Sequence, residues 1–459
     1  MLWMGVRLKG AFCAVALLLL LAPVSAWAAE GSLDQSFGEA GWASAAPGTL
    51  EGPTGSAEIG VGPDGSADVA DGGASIVRFT AAGARHYGFG EGGVLSFRVD
   101  PAAEGVAARH LAISSIAVDG DGRLLAFGAE TDSRHIFEPE FVSGGSLPQS
   151  LAMVLRYDPE GRLDPTFGGG RGFVTGTFGF GSPKKLPLAE AMKGAVDSRD
   201  RPVFLAGAVG IGSSCIAHAG VTYLPRGIVR LTEAGEPDPS FGDGGTVRLE
   251  STEISPVLGL DAAGGPVTEL GPLGNAEQVC RPTTRLVRLS ADGSRRGFGK
   301  RAAIRLKEQW LALVEPSGAL LIEGFRGRQR ELARILPTGA RDKGFGRAGL
   351  ARVRLPRGMA FGVRPVAVDA AGRILLVGYS GTHHGTVVVG RLLANGRLDP
   401  SFGEGGWIVT PVPDHFAVGS TAASLDPQGR LLVAAAGTGA PADAGNGYLL
   451  ARFLLGPNT

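Results

Sequence analysis

Cysteine, tryptophan and tyrosine are scarce in this chain, with three, five and five copies among 459 residues. So few cysteines exclude a disulfide scaffold and a thiolate-rich metal domain. An excess of charge of one sign is also missing. Lys+Arg and Asp+Glu stand at 44 each with no long basic run, which argues against a dominant nucleic-acid or anionic-membrane footprint. Beyond residue 28 no apolar run approaches membrane-spanning length. No HxxxH or HExxH spacing appears, and the glycine runs lack the following helix that would complete a phosphate loop. No cofactor or metal is therefore expected.

Glycine, by contrast, is abundant at 75 residues, with 29 prolines and a hydrophobic fraction of 44%. Without a collagen period this fits many short strands joined by tight turns around a real core. The glycines concentrate in seven copies of a Phe-Gly turn at Phe37, Phe89, Phe167, Phe241, Phe298, Phe345 and Phe402. The clearest copies are LDQSFGEAGW, LDPTFGGG, PDPSFGDGG and LDPSFGEGGW; those at Phe89, Phe298 and Phe345 are weaker. A repeat of this length signals a solenoid, propeller or array and takes precedence over local motifs.

About halfway between turns comes an apolar-Asp-x-x-Gly hairpin, as in IAVDGDGRLLAFG (116–128) and VAVDAAGRILLVG (366–378). An apolar strand containing Arg precedes the next Phe-Gly, as in IVRF (76–79) and IVRL (228–231). Each unit thus holds four short strands. A ends at the Asp, B follows the hairpin, C carries the Arg and D follows the glycines. Seven such units predict an all-β fold, a seven-bladed β-propeller of four-stranded blades. The chain after residue 28 opens on a lone D strand and ends on a lone C strand. The N-terminal strand is therefore expected to complete the C-terminal blade and close the ring, pairing two otherwise raw edges. In the turns, Asp is expected to accept backbone N–H bonds, and Phe to wedge between neighbouring blades. A calcium role for these Asp residues is disfavoured, because not every copy keeps one and a calcium loop needs several oxygens per site.

The LDPSFGxGG segments together with the VDxxGRLLhhG hairpins resemble the delta-60 family, a bacterial β-propeller-like repeat found in exported proteins. The resemblance spans residues 29–459, taken here as one propeller domain. It implies a fold and no chemistry.

Strand order places the repetitive A–B and C–D loops on one face and the variable D–A and B–C loops on the other. Binding residues concentrate on variable loops carried by rigid scaffolds, so the working surface is expected on the second face. The longest B–C loops are read at 129–152, 208–227 and 272–285. His110, His135, His218, His383, His384 and His415 all fall in D–A or B–C loops and are candidate binding-face residues. The A strands that would line a channel read as mostly small and apolar, with Glu58, Lys193 and Arg364 scattered among them. No catalytic residue is nominated on that basis. The function expected is a non-enzymatic binding or scaffold module, a monomer whose partner is a protein or an extracellular glycan rather than nucleic acid. The alternative is a secreted hydrolase or lactonase-like enzyme working at the channel mouth.

Residues 1–28 carry Arg7 and Lys9, then the apolar CAVALLLLLAPV, then Ala26-Trp27-Ala28. This is the pattern of a secretory signal cleaved near Ala28, which predicts a secreted, periplasmic or envelope location with no span in the mature chain. Removal of Cys13 with the signal leaves Cys215 and Cys280 in B–C loops of consecutive blades, in an oxidising compartment. Non-reducing peptide mapping of the exported protein is expected to recover Cys215 and Cys280 as one linked peptide. Recovery of both as free thiols refutes the pairing.

Overall fold

The computed structural model describes residues 31–45, 57–70, 75–96, 109–132, 150–180, 190–213, 219–249, 257–270, 283–326, 329–356, 362–380, 385–413, 416–438 and 446–456. Among them, 28 strands form seven antiparallel sheets of four, the seven-bladed propeller that the repeat predicts. Blades 1 to 6 occupy 58–96, 109–176, 190–248, 258–307, 309–353 and 364–411. Blade 7 combines Ala417–Leu425, Leu431–Thr438 and Asn446–Phe453 with Trp42–Ala45 from the start of the chain. That closing strand pairs in the register Trp42↔Ala451 to Ala45↔Tyr448. The seven innermost strands touch one another in an unbroken circuit, blade 7 meeting blade 1. Among the described residues no helix is long and apolar enough to cross a membrane.

The Phe-Gly turns are latches between blades. All seven phenylalanines are 0–1% exposed. Above each ring lies the guanidinium of the strand-C arginine of the same blade, 4.1 to 5.1 Å from the centroid. These desolvated cation–π contacts contribute on the order of 1–2 kcal/mol each. Each arginine also donates to a backbone carbonyl just after strand C of the next blade. The acceptors run Pro159 for Arg78, Glu233 for Arg156, Ala291 for Arg230, Pro337 for Arg288, Ala394 for Arg334, Leu455 for Arg391 and Ala81 for Arg452. The last of these returns from blade 7 to blade 1, so the hydrogen-bonded ring closes at the same place as the strands.

The aspartate three residues before the phenylalanine holds the arginine from the other side. Asp399 Oδ2 accepts from Arg391 Nε at 2.8 Å while Oδ1 accepts the Ser401 N–H at 3.0 Å and its hydroxyl at 2.7 Å. Burial alone pushes this carboxyl up, but the Ser401 bonds and the Arg391 charge outweigh it and hold it below its usual range. Asp34, Asp164, Asp238 and Asp342 repeat the contact to Arg452, Arg156, Arg230 and Arg334. Five copies therefore keep the aspartate, Asp342 included although its turn is among the weaker ones.

Blades 1 and 4 depart from this pattern. In blade 1 His86 stands at the aspartate position, and Asp68 on strand B supplies the carboxylate instead, bidentate to Arg78 at 2.7 Å. In blade 4 Arg295 stands there, and among the described residues no carboxylate bonds Arg288, which donates only to the carbonyls of Gly318 and Pro337. Its buried Nε is left without a partner.

Glycine is required where a neighbouring blade presses on the turn. Gly38, Gly90, Gly168, Gly242 and Gly346, each following its phenylalanine, donate their N–H to the next blade's C–D turn at 2.6–3.0 Å. On the receiving side, Gly235 sits at φ +87° with an imagined Cβ 2.8 Å from the Phe167 ring. Gly396, at φ +78°, meets Phe345 the same way at 2.7 Å. A side chain there combines backbone strain with a clash.

The long B–C reading of blade 3 is corrected by the fold. Strands B and C run on as Pro202–Ser213 and Ala219–Arg230, paired out to Ser213↔Ala219. The β-branched residues Val209, Ile211, Val221 and Thr222 favour strand over loop. In blade 2, likewise, strands reach Asp132 and start again at Ser150.

Arg391→Ala strands the buried Asp399 carboxylate and is expected to cost about 3–5 kcal/mol, read as a fall in Tm or in denaturant midpoint. Arg295→Asp restores the missing carboxylate beside Arg288 and is expected to raise stability by about 1–3 kcal/mol.

Candidate binding face

Every A strand runs from the D–A/B–C face toward the A–B hairpins, so its first residues ring the channel mouth on the variable face. Five of the seven A strands carry a register shift near this end, at Ile113/Ser115, Ala191/Lys193, Leu311/Leu313, Pro365/Ala367 and Val418/Ser420. A bulge re-aims side chains and leaves a backbone group free of the ladder. Here it turns residues toward the next blade. Ser115 Oγ accepts the Gly194 N–H at 2.8 Å, and Ser420 Oγ accepts the Ala57 N–H at 2.9 Å.

Glu58 and Lys193 are not scattered, as their sequence positions suggest, but joined. Lys193 Nζ donates to Glu58 Oε2 at 2.6 Å, linking blade 3 to blade 1 past the intervening strand of blade 2. Sequence could not reveal the pairing, because 135 residues separate the two and only ring geometry brings them together. The side chains are 32% and 19% exposed, so the pair contributes no more than about 1 kcal/mol. Arg364, the third scattered charge, donates to the Thr421 carbonyl of blade 7 at 3.2 Å.

Blades 4 and 5 hold buried acids that the sequence reading passed over. Glu269, 1% exposed on strand B of blade 4, accepts the Leu311 N–H of blade 5 at 2.6 Å. Its other oxygen lies near the Thr284 hydroxyl but is not in full hydrogen-bond geometry with it or with any other described residue. Burial pushes its carboxyl up, beyond what the Thr284 hydroxyl and the Leu311 N–H pull back, and the charge of Glu323 adds to the rise. Glu323 on strand B of blade 5 is also raised by burial, against the opposing charges of Arg330 and Arg364. Arg330 bonds Glu323 and stacks 4.6 Å from the Phe325 ring centre. Phe325 in turn meets Trp310 at 6.3 Å and 59°. With 46% of its surface exposed, Phe325 is among the few large apolar side chains open to solvent. The signal available in sequence was Trp310 at an A-strand start, where no other copy is aromatic apart from His110.

His110 lies within strand A of blade 2, opposite Thr131, rather than in a loop. His135, His218, His383, His384, His415, Cys215 and Cys280 lie outside the described residues. Among the described residues no three His, Cys, Asp or Glu side chains group as metal ligands.

No protein-family model and no curated protein matches the chain. Solved structures match in outline only. A crystal structure of the mitotic checkpoint complex aligns over 99% of this chain and 98% of its own at 11% identity and a TM-score of 0.43. Hydrazine synthase of Kuenenia stuttgartiensis aligns over 88% and 96% at 13% identity and a TM-score of 0.43. Aldose sugar dehydrogenase from Streptomyces coelicolor, in its PQQ-bound form, aligns over 81% and 97% at 16% identity and a TM-score of 0.35. None of these likenesses carries a functional argument.

Because the Glu269 carboxyl is raised above its ordinary 4.5, the folded state binds a proton that the unfolded state has released. This contribution to stability is fully present below about pH 4.5 and is lost as pH rises through the folded value. Glu269→Gln removes the cost of ionising the buried acid while keeping an acceptor for Leu311. Its Tm is expected to exceed the parent's at pH 8 and to converge with it at pH 4. An equal offset at both values contradicts the assignment.

Proposed function

We propose that the chain is an exported, delta-60-like β-propeller without catalytic activity that binds a protein or an extracellular glycan through its D–A/B–C face. The observation that carries this reading is the Trp310–Phe325 pair beside Arg330 and Arg364 at the channel mouth. Exposed aromatics backed by a positioned arginine are what interfaces use as energetic anchors. On the opposite face the seven latch phenylalanines and their arginines are spent between blades, while Tyr87 in the blade 1 turn is exposed. A second reading, a hydrolase or lactonase-like enzyme, draws on the Glu58–Lys193 pair, an acid and an amine at one mouth of the channel.

Crosslinking pull-down from the native envelope is the test, with the parent compared against Phe325→Ala and Trp310→Ala. Loss of a partner by at least tenfold, with an unchanged Tm, is expected for both variants. Turnover of an ester or lactone panel that disappears in Glu58→Gln replaces the binding reading with the enzymatic one.

A further inference from the structure

The neutral total conceals a strongly basic sector. From Arg295 to Arg364 the chain holds 17 Lys/Arg against 5 Asp/Glu, while the whole chain has 44 of each. Of those five acids only Glu308 is fully exposed; Glu315, Glu323, Glu331 and Asp342 are buried or half-buried. The cations are mostly exposed. Arg326, Arg330 and Arg364 belong to the opposite face and Arg334 to a latch. The other described cations sit on two adjacent corners and the strands leaving them, because the blade 4 turn abuts blade 5, with Arg288 reaching Pro337 at 3.1 Å and Gly299 packed against Thr338.

Comparison between copies shows that the sector is not a by-product of the latch. Two residues after the phenylalanine, the turn exposes Glu39 in blade 7, Glu91 in blade 1, Asp243 in blade 3 and Glu404 in blade 6. At the same exposed position blades 4 and 5 carry Lys300 and Arg347. The turn itself is unchanged in blade 5, where Arg347 N–H donates to Leu350 O at 2.9 Å as Glu404 does to Trp407 O at 2.8 Å. From these corners the positive charge continues onto the outermost strands, through Arg305 and Lys307 of blade 4 and Arg354 just beyond blade 5's.

We propose that this sector, on blades 4 and 5, is a binding track for an acidic polysaccharide, a linear polymer bearing carboxylates along its length. It is independent of the D–A/B–C face and of its proposed partner. The cations turn from the A–B/C–D face onto the rim, so a flat lipid surface meets only part of them, whereas a flexible chain follows them all. The aromatic rings of these two corners, Phe298 and Phe345, are buried, which leaves none there to stack nucleic-acid bases. Multiple exposed cations neutralising successive anions give affinity that falls steeply with salt.

The test measures binding of residues 29–459, which contain every blade, to alginate, to double-stranded DNA and to phosphatidylglycerol vesicles. Alginate is expected to bind best, and its affinity to fall at least tenfold between about 50 and about 200 mM salt. Lys300→Glu with Arg347→Glu installs the residue that other corners already carry, so the fold tolerates it and Tm holds. This double variant is expected to weaken alginate binding at least tenfold, and Arg305→Ala with Lys307→Ala to weaken it several-fold. Glu39→Gln, on a distant corner, leaves it unchanged. Absence of alginate binding at low salt, unchanged affinity in both double variants, or tighter binding of DNA or vesicles overturns the proposal.

Discussion

One buried arginine per blade, held between its own turn and the next blade, is the contact on which the ring depends. Each must satisfy a guanidinium with almost no water, and the solutions are similar in five blades. A carboxylate takes Nε, a phenylalanine ring covers one face, and a carbonyl of the following blade takes a terminal guanidinium nitrogen. Burying a charge is unfavourable unless it is paired and hydrogen-bonded. The third partner belongs to the neighbour, so a blade cannot satisfy its own arginine alone. That makes the blades mutually dependent. The last latch, from Arg452 to Asp34 and Ala81, reaches both the N-terminal segment that completes blade 7 and the turn of blade 1.

The latch explains how much of the architecture could be read from sequence. Its parts recur because their geometry recurs, so the Phe-Gly and the strand-C Arg mark every corner in register, and the Asp marks five of the seven. Ring closure was equally legible, since a lone D strand at one end and a lone C strand at the other leave few alternatives. What could not be read is whatever joins residues distant in the chain. Glu58 meets Lys193 only because the inner strands stand in a circle, and Glu269 meets Leu311 only because bulged A strands turn a backbone N–H outward. The extended hairpin of blade 3 was missed for a different reason. Glycines at 207, 210 and 212 look like loop residues, while pairing with Pro225, Thr222 and Gly220 holds them in a strand.

The two irregular blades show how the constraint bends. Blade 1 gives up the corner aspartate and recovers a carboxylate from strand B, so the arginine remains an ion pair by another route. Blade 4 gives it up and recovers only carbonyls. It thereby keeps a buried cation with no directly bonded carboxylate, eased only by the nearby charge of Asp261, in the corner where further cations are exposed, an arrangement that electrostatics disfavours. Adjacent to it, blade 5 keeps the aspartate and its latch but changes the exposed residue from acid to base. Loss of the latch aspartate and reversal of surface charge are therefore separate events, coinciding in one blade and not in the other.

That separation follows from the turn's geometry. The phenylalanine, the aspartate and the arginine point into the interface, while the residue two beyond the phenylalanine points away from it with its backbone already committed to a tight hairpin. Sequence at this position is free of the latch, and its charge contributes to the surface field rather than to the ring. Seven such positions form a circle on the face that repetition makes uniform, so a run of one sign in neighbouring blades produces a directional field on an otherwise repetitive surface. Charge totals over the whole chain average this circle to zero, and only a comparison of equivalent positions restores it. The face devoted to structure thus retains one freely variable site per blade, set at regular intervals around the rim.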